Sequence, residues 1–519
     1  MNYFLGGCIF WGIALCALYV VRPGSHLNAK TIQNISRKEK ILLFFTLAGT
    51  ILLCTLPMSL SPVWNGENPE HRNQYEVLAE SLLDGRIDLE YGDTDPKLLE
   101  MENPYDPEMR TALDVHYHYD HAFYNGKYYM YFGIVPVLLL FAPFRLITGS
   151  PLTTYHATQI FTALFISGFF ALFLFSAKKF FKTMSLAVYL SLSAAMSIMS
   201  VWYLSKAPAL YCTAIAAGIC IEIWSLFFFA KAVWGEGSER QSMVYGVLGS
   251  LFGALAFGCR PTIALANLLA LPMFFHYIKL WKVRSADSLP VNRKKIDGKL
   301  VKQILAVISP YIVIGILLML YNYVRFDSVF EFGQSYQLTK ADQSGYGSVA
   351  AQFGPIKILD GVLQNFFACV PLKYSFPFVS ACSVFFNFPI CLAAFFFLLQ
   401  KDSLLQCKKS GLAAFTAVLL FLPVLITVIQ CLMSPFLLER YRSDIYWLMG
   451  LLTFLAFGLF GETVSGHTEK IMGFLCSLMA FATVFSAFLL WMIPDDGNYT
   501  ELFPEALGIL EKILFFGMR

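Results

Sequence analysis

The chain has 519 residues, of which 57% are hydrophobic and only 14% are charged, and its formal net charge is +3. Soluble globular domains carry about 25% charged residues, so this composition, with a mean hydropathy of +0.60, excludes an ordinary soluble protein. The small net charge does not indicate a nucleic-acid partner. We therefore expect a polytopic membrane protein that is surrounded by membrane lipids.

The first apolar run, at residues 3–21, has no basic region before it and no small-residue cleavage site after it, so we expect a retained helix. Further runs of about 20 residues, the length that crosses a bilayer, follow at 41–61, 155–176, 184–203, 209–230, 242–258, 261–281, 304–324, 376–399, 411–433, 446–461 and 470–493. The sequence predicts an all-α polytopic membrane protein with about twelve transmembrane helices. Residues 1–39 would form the N-terminal helix and a basic cytoplasmic segment, and residues 40–493 the transmembrane domain.

An additional apolar run, Met130–Thr148, decides the topology. If this run crossed the membrane, the basic loop at 178–182 and all later basic loops would lie outside. If it lies in the membrane interface, every basic loop falls on the cytoplasmic side, as the positive-inside rule requires. We therefore predict an interfacial helix at 130–148, interrupted by Pro136 and Pro143, in a plasma-membrane protein with both termini outside.

Three long segments then face outside: residues 62–154, residues 325–375 and the tail 494–519. The first contains an amphipathic helix, Tyr75–Leu83, with leucines 78, 82 and 83 on one face. The sequence shows no internal repeat and no separate soluble domain, so we expect the chemistry to lie in these outer segments.

Cations at the outer ends of spans break the positive-inside rule. They are Lys206, Arg260, Arg325, Lys373, Arg440 and Arg442. Any one of them could be a side chain that snorkels from a helix end. Together they predict an anionic ligand at the outer leaflet, such as the phosphate of a lipid carrier, because a guanidinium group meets two phosphate oxygens at once. His71, Arg72, Lys127 and Tyr128 are further candidates for substrate contacts.

Carboxylates in the first outer segment are candidates for a general base that takes a proton from an acceptor hydroxyl. Glu76, Glu80 and Asp84 follow a spacing that fits a solvated helix face. Glu67 and Glu70 precede that helix and are stronger candidates, and Asp120 is another. The tyrosines around Asp120 could form an interfacial aromatic belt or a platform for a sugar.

His116, His118, Asp120 and His121 form an HxHxDH pattern, which also occurs among the ligands of two-metal hydrolases. Such hydrolases need further ligands from the strands of a soluble domain, which this sequence lacks. We therefore expect no cofactor, and keep these four residues as weak candidates for a divalent metal. The 12 cysteines form no CxxC pairs, which argues against a zinc site.

Several segments resemble the C-type glycosyltransferases, the superfamily of protein O-mannosyltransferases and aminoarabinose transferases that use lipid-phosphate sugars. The segments are Tyr75–Leu82, Tyr119–Tyr129, Tyr131–Phe144, Gly258–Thr262 (GCRPT), Asn322–Leu338 and Glu439–Asp444 (ERYRSD). They cover roughly residues 40–450. Taken together, these segments are a specific signal, whereas each motif alone is a weak one.

The resemblance implies an enzyme that takes a sugar from a polyprenyl-phosphate carrier at the outer leaflet and uses an acidic residue of the first outer loop as base. Many relatives have an Asp-Glu pair shortly before the tyrosine of that loop. This chain has His71 and Arg72 there, preceded by Glu70. The base is therefore expected to be Glu70, Glu67 or Asp120.

The main hypothesis is an inverting membrane glycosyltransferase that moves a sugar from a polyprenyl-phosphate carrier to an envelope glycan, lipid or protein. The alternative is a transporter or flippase for a lipid-linked or anionic envelope precursor. Transporters tend to have repeated halves and ionisable groups at mid-membrane. This sequence shows no repeat, and Glu222 is its one clear acidic residue inside a predicted span.

Overall fold

The computed structural model describes residues 2–60, 73–92, 94–208, 210–275, 298–340, 342–344, 355–370, 372–433, 437–494 and 503–518. The helices in these ranges are α1 (Tyr3–Val20), α2 (His26–Ala29), α3 (Arg37–Thr55), α4 (Gln74–Leu83), α5 (Pro96–Glu100), α6 (Pro107–Ala112), α7 (Ala142–Thr148), α8 (Thr154–Phe180), α9 (Leu186–Lys206), α10 (Leu210–Trp234), α11 (Glu239–Phe257), α12 (Pro261–Ala264), α13 (Gly298–Phe326), α14 (Pro355–Phe367), α15 (Val384–Asn387), α16 (Pro389–Leu398), α17 (Lys401–Lys409), α18 (Ala413–Met433), α19 (Ser443–Gly461), α20 (Gly466–Trp491) and α21 (Pro504–Leu514). One antiparallel hairpin pairs β1 (Ala122–Tyr124) with β2 (Lys127–Tyr129).

Many helices begin where the sequence supplies a cap. Ser36 and Glu39 form a capping box at the start of α3, and the Ser185 hydroxyl accepts a hydrogen bond from the backbone N–H of Val188 in α9. Pro261 and Pro389 stand in the first turns of α12 and α16, where a missing N–H costs no helix hydrogen bond.

Within the described ranges, nine helices are long and apolar enough to cross a membrane. All nine coincide with predicted spans. The predicted spans at 242–258 and 261–281 correspond to α11 and to a shorter apolar helix, Pro261–Phe275. The span predicted at 376–399 corresponds to α16, which forms with α17 a pair bent by 77° that could count as a tenth crossing. The chain is an all-α polytopic membrane protein, as the composition indicates.

The helix bundle buries its centre and leaves apolar side chains on its outside. Helix α19 is buried along nearly its whole length and packs against α9 and α16, as a helix that is apolar all round should. Large apolar side chains of α1 and α13, such as Ile13 and Ile312, are exposed. An apolar surface of this extent is typical of a face that contacts lipid.

Segments that carry basic loops meet at one end of the bundle. The backbone N–H of Ile32 donates to the carbonyl of Met184 (3.0 Å), and that of Leu186 donates to the carbonyl of Lys30 (2.6 Å). At the other end of α3 and α8, the Gln159 side chain donates to the Thr55 carbonyl (2.9 Å). Helices α3 and α8 are therefore antiparallel neighbours with matched ends.

The antiparallel pairing of α3 with α8 limits how the apolar run at 130–148 can lie in the membrane. A complete crossing by that run would place residues 30–32 and 184–186 on opposite faces of the membrane. The helical part of the run, Val137–Thr148, has 12 residues and is about 18 Å long, which is too short for a hydrocarbon core of about 30 Å. These observations favour an interfacial position.

The run also differs from the sequence prediction in where its helix begins. Residues 130–134 are not helical because the chain leaves the β1–β2 hairpin at Tyr129. Asn125 and Gly126 both have positive φ (49° and 76°), which suits a tight two-residue hairpin turn. The amphipathic helix predicted at Tyr75–Leu83 is observed as α4, but Leu83 is exposed at its last position and does not share the buried face of Leu78.

The two outer segments form one unit. The backbone N–H of Asp120 donates to the carbonyl of Leu338, and the N–H of Leu338 donates to the carbonyl of His121 (both 2.9 Å). The buried side chain of Arg110 donates to the carbonyls of Pro104 and Thr339. The second outer segment thus lies as an added strand beside the first, next to Asp120.

The topology generates a labelling prediction. In a cysteine-free variant carrying a single cysteine at position 151 or 180, an impermeant thiol reagent applied to intact cells should label position 151 and not position 180. The reason is that α8 separates the two positions and the run at 130–148 does not add a crossing. Labelling at 180 without labelling at 151 would contradict the topology.

Candidate functional site

Asp120 occupies a special backbone position at the junction of the two outer segments. Its φ is +61°, in the left-handed region that Asp and Asn tolerate better than other residues with a Cβ. The Gln74 side chain of α4 donates to its carbonyl (2.8 Å), while its N–H is held by Leu338. Both backbone groups are therefore fixed, and the side chain is aimed towards the start of α10.

The carboxylate of Asp120 is nearly buried, with 9% of the residue exposed, and two tyrosines bind it. The hydroxyl groups of Tyr131 (3.3 Å) and Tyr211 donate to the same oxygen, Oδ2. The other oxygen, Oδ1, accepts no hydrogen bond from the described residues. Among the described residues, Asp120 therefore has one carboxylate oxygen without a hydrogen bond.

Burial raises the pKa of the Asp120 carboxyl, because the charged form loses contact with water. The hydrogen bonds from Tyr211 and Tyr131, and the positive charge of Arg440, act in the opposite direction but do not cancel the effect of burial. A carboxyl group with a raised pKa is a better proton acceptor than an ordinary aspartate, which suits a general base.

Arg440 and Arg260 lie in the same cluster of aromatic residues. The guanidinium carbon of Arg440 stands 3.9 Å from the ring centroid of Tyr211, whose hydroxyl binds Asp120. The guanidinium groups of Arg440 and Arg260 are each 5.6 Å from the ring centroid of Tyr441. The structure thus brings two of the predicted phosphate-binding arginines together around Tyr441 and near Asp120.

A buried carboxylate fixes Arg260 in this place. Asp444 is fully buried and accepts hydrogen bonds from the Nε of Arg260 (2.8 Å) and from the side chains of Thr262 (2.8 Å) and Gln430 (2.9 Å). Only Nε of Arg260 bonds to the described residues, so both of its terminal nitrogens remain for a ligand. Burial lowers the pKa of Arg260, and Asp444 raises it by more, so the guanidinium group stays charged.

The GCRPT segment brings the first outer segment to Arg260. The carbonyl of Gly258 accepts a hydrogen bond from the N–H of Val135 (2.9 Å). A Cβ on Gly133 would lie 2.0 Å from that carbonyl oxygen, so this approach requires glycine. Tyr131 lies two residues before Gly133, and its hydroxyl donates to Asp120.

Arg325 bonds to neighbouring protein groups, and its predicted contact with a substrate phosphate stays a prediction. Only 4% of the residue is exposed, and its three guanidinium nitrogens donate to the carbonyl of Met130 (2.6 Å), the side chain of Asn322 (2.8 Å) and the carbonyl of Tyr321 (3.3 Å). Arg325 therefore clamps the end of α13 to the residue before Tyr131, and each of its three guanidinium nitrogens donates to a protein group.

The remaining predicted cations are placed separately. Arg442 donates through Nε to Asn365 of α14 (2.9 Å), and buried Lys206 lies 4.0 Å from Glu439. Lys127 is exposed on the hairpin and lies 3.5 Å from Asp88, whereas Tyr128 is buried among aromatic rings. Lys373 is exposed in the second outer segment.

The HxHxDH residues are not arranged as a metal site. Among the described residues, no group of three or more His, Cys, Asp or Glu side chains could hold a metal ion. The two ring nitrogens of His121 contact the hydroxyl of Tyr91 (2.6 Å) and the carbonyl of Tyr119 (2.8 Å). Burial lowers the pKa of His121 to about 4, so its ring is neutral at pH 7 and supports the loop that carries Asp120.

Four predicted site residues, Glu67, Glu70, His71 and Arg72, lie outside the described residues, so their predicted roles remain predictions. Glu80, expected on a solvated helix face, is half-exposed and bonds to Arg145 (3.0 Å).

Sequence reasoning did not find Tyr211, Tyr131, Asp444 or Gln430 as parts of the site. Thr262 and Asp444 lie within the GCRPT and ERYRSD segments, so these motifs were the available signal. The pairing of Arg260 with Asp444 joins positions 184 residues apart, and no local pattern predicts it.

The buried pair generates a stability prediction. Asp444→Ala leaves Arg260 without its carboxylate, and removal of one partner of a buried ion pair typically costs about 3–5 kcal/mol. We expect a loss of that size in the free energy of unfolding, measured in detergent, and a smaller additional loss in the Arg260→Ala/Asp444→Ala double variant. Asp402→Ala, at an exposed position of α17, is the matched control. Equal stability of Asp444→Ala and the control would contradict the pairing.

Comparison with known proteins assigns this chain to no family. No family model and no curated protein matches it. Among solved structures, it is similar to the crystal structure of the Archaeoglobus fulgidus oligosaccharyltransferase, tethered by a disulfide bond with an acceptor peptide containing the NVT sequon. The identity is 12% and the TM-score 0.35, and the similarity covers 90% of this chain but 59% of that protein. The chain is an all-α polytopic membrane protein, and neither a family nor any residue's role follows from the similarity to the solved structure.

Proposed function

We propose that this chain is a membrane glycosyltransferase that moves a sugar from a polyprenyl-phosphate carrier to an acceptor hydroxyl at the outer membrane face. The observation that carries the proposal is the position of Asp120. A nearly buried carboxylate with a raised pKa lies in one aromatic cluster with two arginines. This combination supplies a proton acceptor beside a site for a departing phosphate.

The reaction follows from the two parts of the cluster. Oδ1 of Asp120 accepts the proton of the acceptor hydroxyl while the acceptor oxygen attacks the anomeric carbon. The bond between that carbon and the phosphate oxygen breaks, and the phosphate leaves with the electron pair. Arg440 and the terminal nitrogens of Arg260 stabilise the negative charge that develops on the leaving group. Attack opposite the phosphate inverts the anomeric configuration.

Aromatic residues suit the sugar between these groups. Tyr131 and Tyr211 bind Asp120 through their hydroxyls, so their rings border the space next to the carboxylate. Tyr441 lies between Arg440 and Arg260. Glu70 and Glu67 stay as alternative bases, and the experiments below distinguish them from Asp120.

The transfer prediction compares isosteric variants. General base catalysis contributes about 10²- to 10⁴-fold in rate. With a radiolabelled polyprenyl-phosphate sugar and purified protein in vesicles, Asp120→Asn should lower transfer by that factor while protein yield and carrier binding stay near those of the wild type. Glu70→Gln and Glu67→Gln, made in parallel, should retain transfer if Asp120 is the base.

The outcomes separate the two functions. Movement of the labelled lipid across the vesicle membrane without transfer would favour a transporter. Normal transfer in Asp120→Asn together with loss of transfer in Glu70→Gln would assign the base to Glu70.

A second prediction concerns pH. The base must be ionised, so kcat/KM falls as the pH drops through the pKa of Asp120, which burial places above the ordinary value of about 3.9. The hydrogen bond from Tyr211 lowers this pKa. Tyr211→Phe removes that bond and should therefore move the acid limb of the pH profile to higher pH.

Tyr119→Phe is the control, because Tyr119 is adjacent to Asp120 and half-exposed but its hydroxyl does not bind the carboxylate. The control should leave the acid limb in place. An unmoved limb in Tyr211→Phe, or a shift to lower pH, would be evidence against Asp120 as the base.

A further inference from the structure

An apolar cavity lies away from Asp120, where the N-terminal and C-terminal helices meet residues 372–379. Its volume is about 230 Å³, and all ten residues around it are apolar or aromatic. Trp11 of α1, Phe485 and Leu489 of α20, Val379 of the segment before α15 and Phe515 after α21 contribute four different walls. No residue of the Asp120 cluster lines this cavity.

The cavity exists because α21 docks closely on α1. A Cβ on Gly7 would lie 2.6 Å from the carbonyl oxygen of Ile513 and 2.7 Å from the Phe516 ring, so only glycine permits this approach. The indole N–H of Trp11 donates to the carbonyl of Leu514 (3.0 Å). The one polar atom of the Trp11 side chain is thus satisfied, and the side chain presents only apolar surface to the cavity.

A cavity of this kind does not suit water. Apolar cavities of about 150 Å³ stay dry and bind apolar guests such as benzene, and this cavity is larger. Helices α1 and α20, which supply two walls, are long and apolar enough to cross the membrane. The cavity therefore borders the bilayer, where hydrocarbon chains are the abundant apolar ligand.

A basic residue, Lys373, directly follows a residue of the cavity wall. Leu372 lines the cavity and is 63% exposed, and the next residue, Lys373, is also exposed. The N–H of Lys373 donates to the carbonyl of Phe378 (3.2 Å), which closes the loop whose residues form the wall. An exposed lysine beside an apolar cavity at the membrane boundary can bind the phosphate of a lipid whose hydrocarbon chain occupies the cavity.

We propose that this cavity binds one acyl chain of an anionic glycerophospholipid, with the lipid phosphate at Lys373. The site is separate from the proposed transfer site, and its occupant is a bilayer lipid and not the sugar carrier. Bilayer phospholipids greatly outnumber carrier lipids, so mass action favours them at a site lined only by apolar groups. The predicted role of Lys373 in carrier binding stays a separate prediction.

Native mass spectrometry of the full chain tests the proposal. Delipidated protein is titrated with phosphatidylglycerol or phosphatidylcholine of matched acyl chains. The wild type should bind one phosphatidylglycerol more tightly than phosphatidylcholine. Lys373→Ala should weaken phosphatidylglycerol binding about fivefold, the effect of roughly 1 kcal/mol per basic residue near a membrane, and should remove the preference.

Val379→Trp fills the cavity and should abolish the tight site for both lipids. The matched control is Val313→Trp on the exposed face of α13, which should bind as the wild type does. Because Lys373 is exposed, its variant reports on binding even if Val379→Trp does not fold. Unchanged phosphatidylglycerol binding in Lys373→Ala would overturn the proposal, and so would displacement of the lipid by an equimolar amount of polyprenyl phosphate.

Discussion

The burial of the Asp120 carboxylate is the constraint on which the rest of the site depends. A charged group loses several kcal/mol of hydration when it leaves water unless the protein supplies hydrogen bonds and opposite charge. Here the hydroxyls of Tyr131 and Tyr211 supply the hydrogen bonds and Arg440 supplies the charge. These interactions offset the lost hydration of Asp120 only in part, because the pKa of its carboxyl stays raised. A carboxylate whose pKa is raised in this way can take up a proton.

The outer segments are organised to hold this carboxylate in place. Asp120 is bonded through its backbone to Gln74 on one side and to Leu338 on the other. Arg110 and Arg325, both buried, use their guanidinium groups on backbone carbonyls of neighbouring segments. Two arginines thus act as clamps, whereas the terminal nitrogens of Arg260 and Arg440 make no hydrogen bond to the described residues.

Sequence reasoning predicted the class and most of the helices, because a span of about 20 apolar residues is a local property. All nine of the long apolar helices in the described ranges were predicted. The hairpin at Asn125–Gly126 was missed, although an Asn-Gly pair between aromatic residues is its usual signal. Asp120 was one of three carboxylates that the sequence left open, and Arg260 and Arg440 were named among six cations. The partners that decide their roles, Tyr211 and Asp444, could not be predicted because they depend on how distant helices meet.

The most direct test of the account is a cryo-electron microscopy structure of the full chain in nanodiscs with a non-hydrolysable polyprenyl phosphonate sugar. The account predicts that the phosphonate binds between the guanidinium groups of Arg440 and Arg260, at hydrogen-bond distances of about 3 Å, with the anomeric carbon facing Asp120. A phosphonate bound at Arg325 or Lys373, or one with its sugar turned away from Asp120, would contradict the central claim.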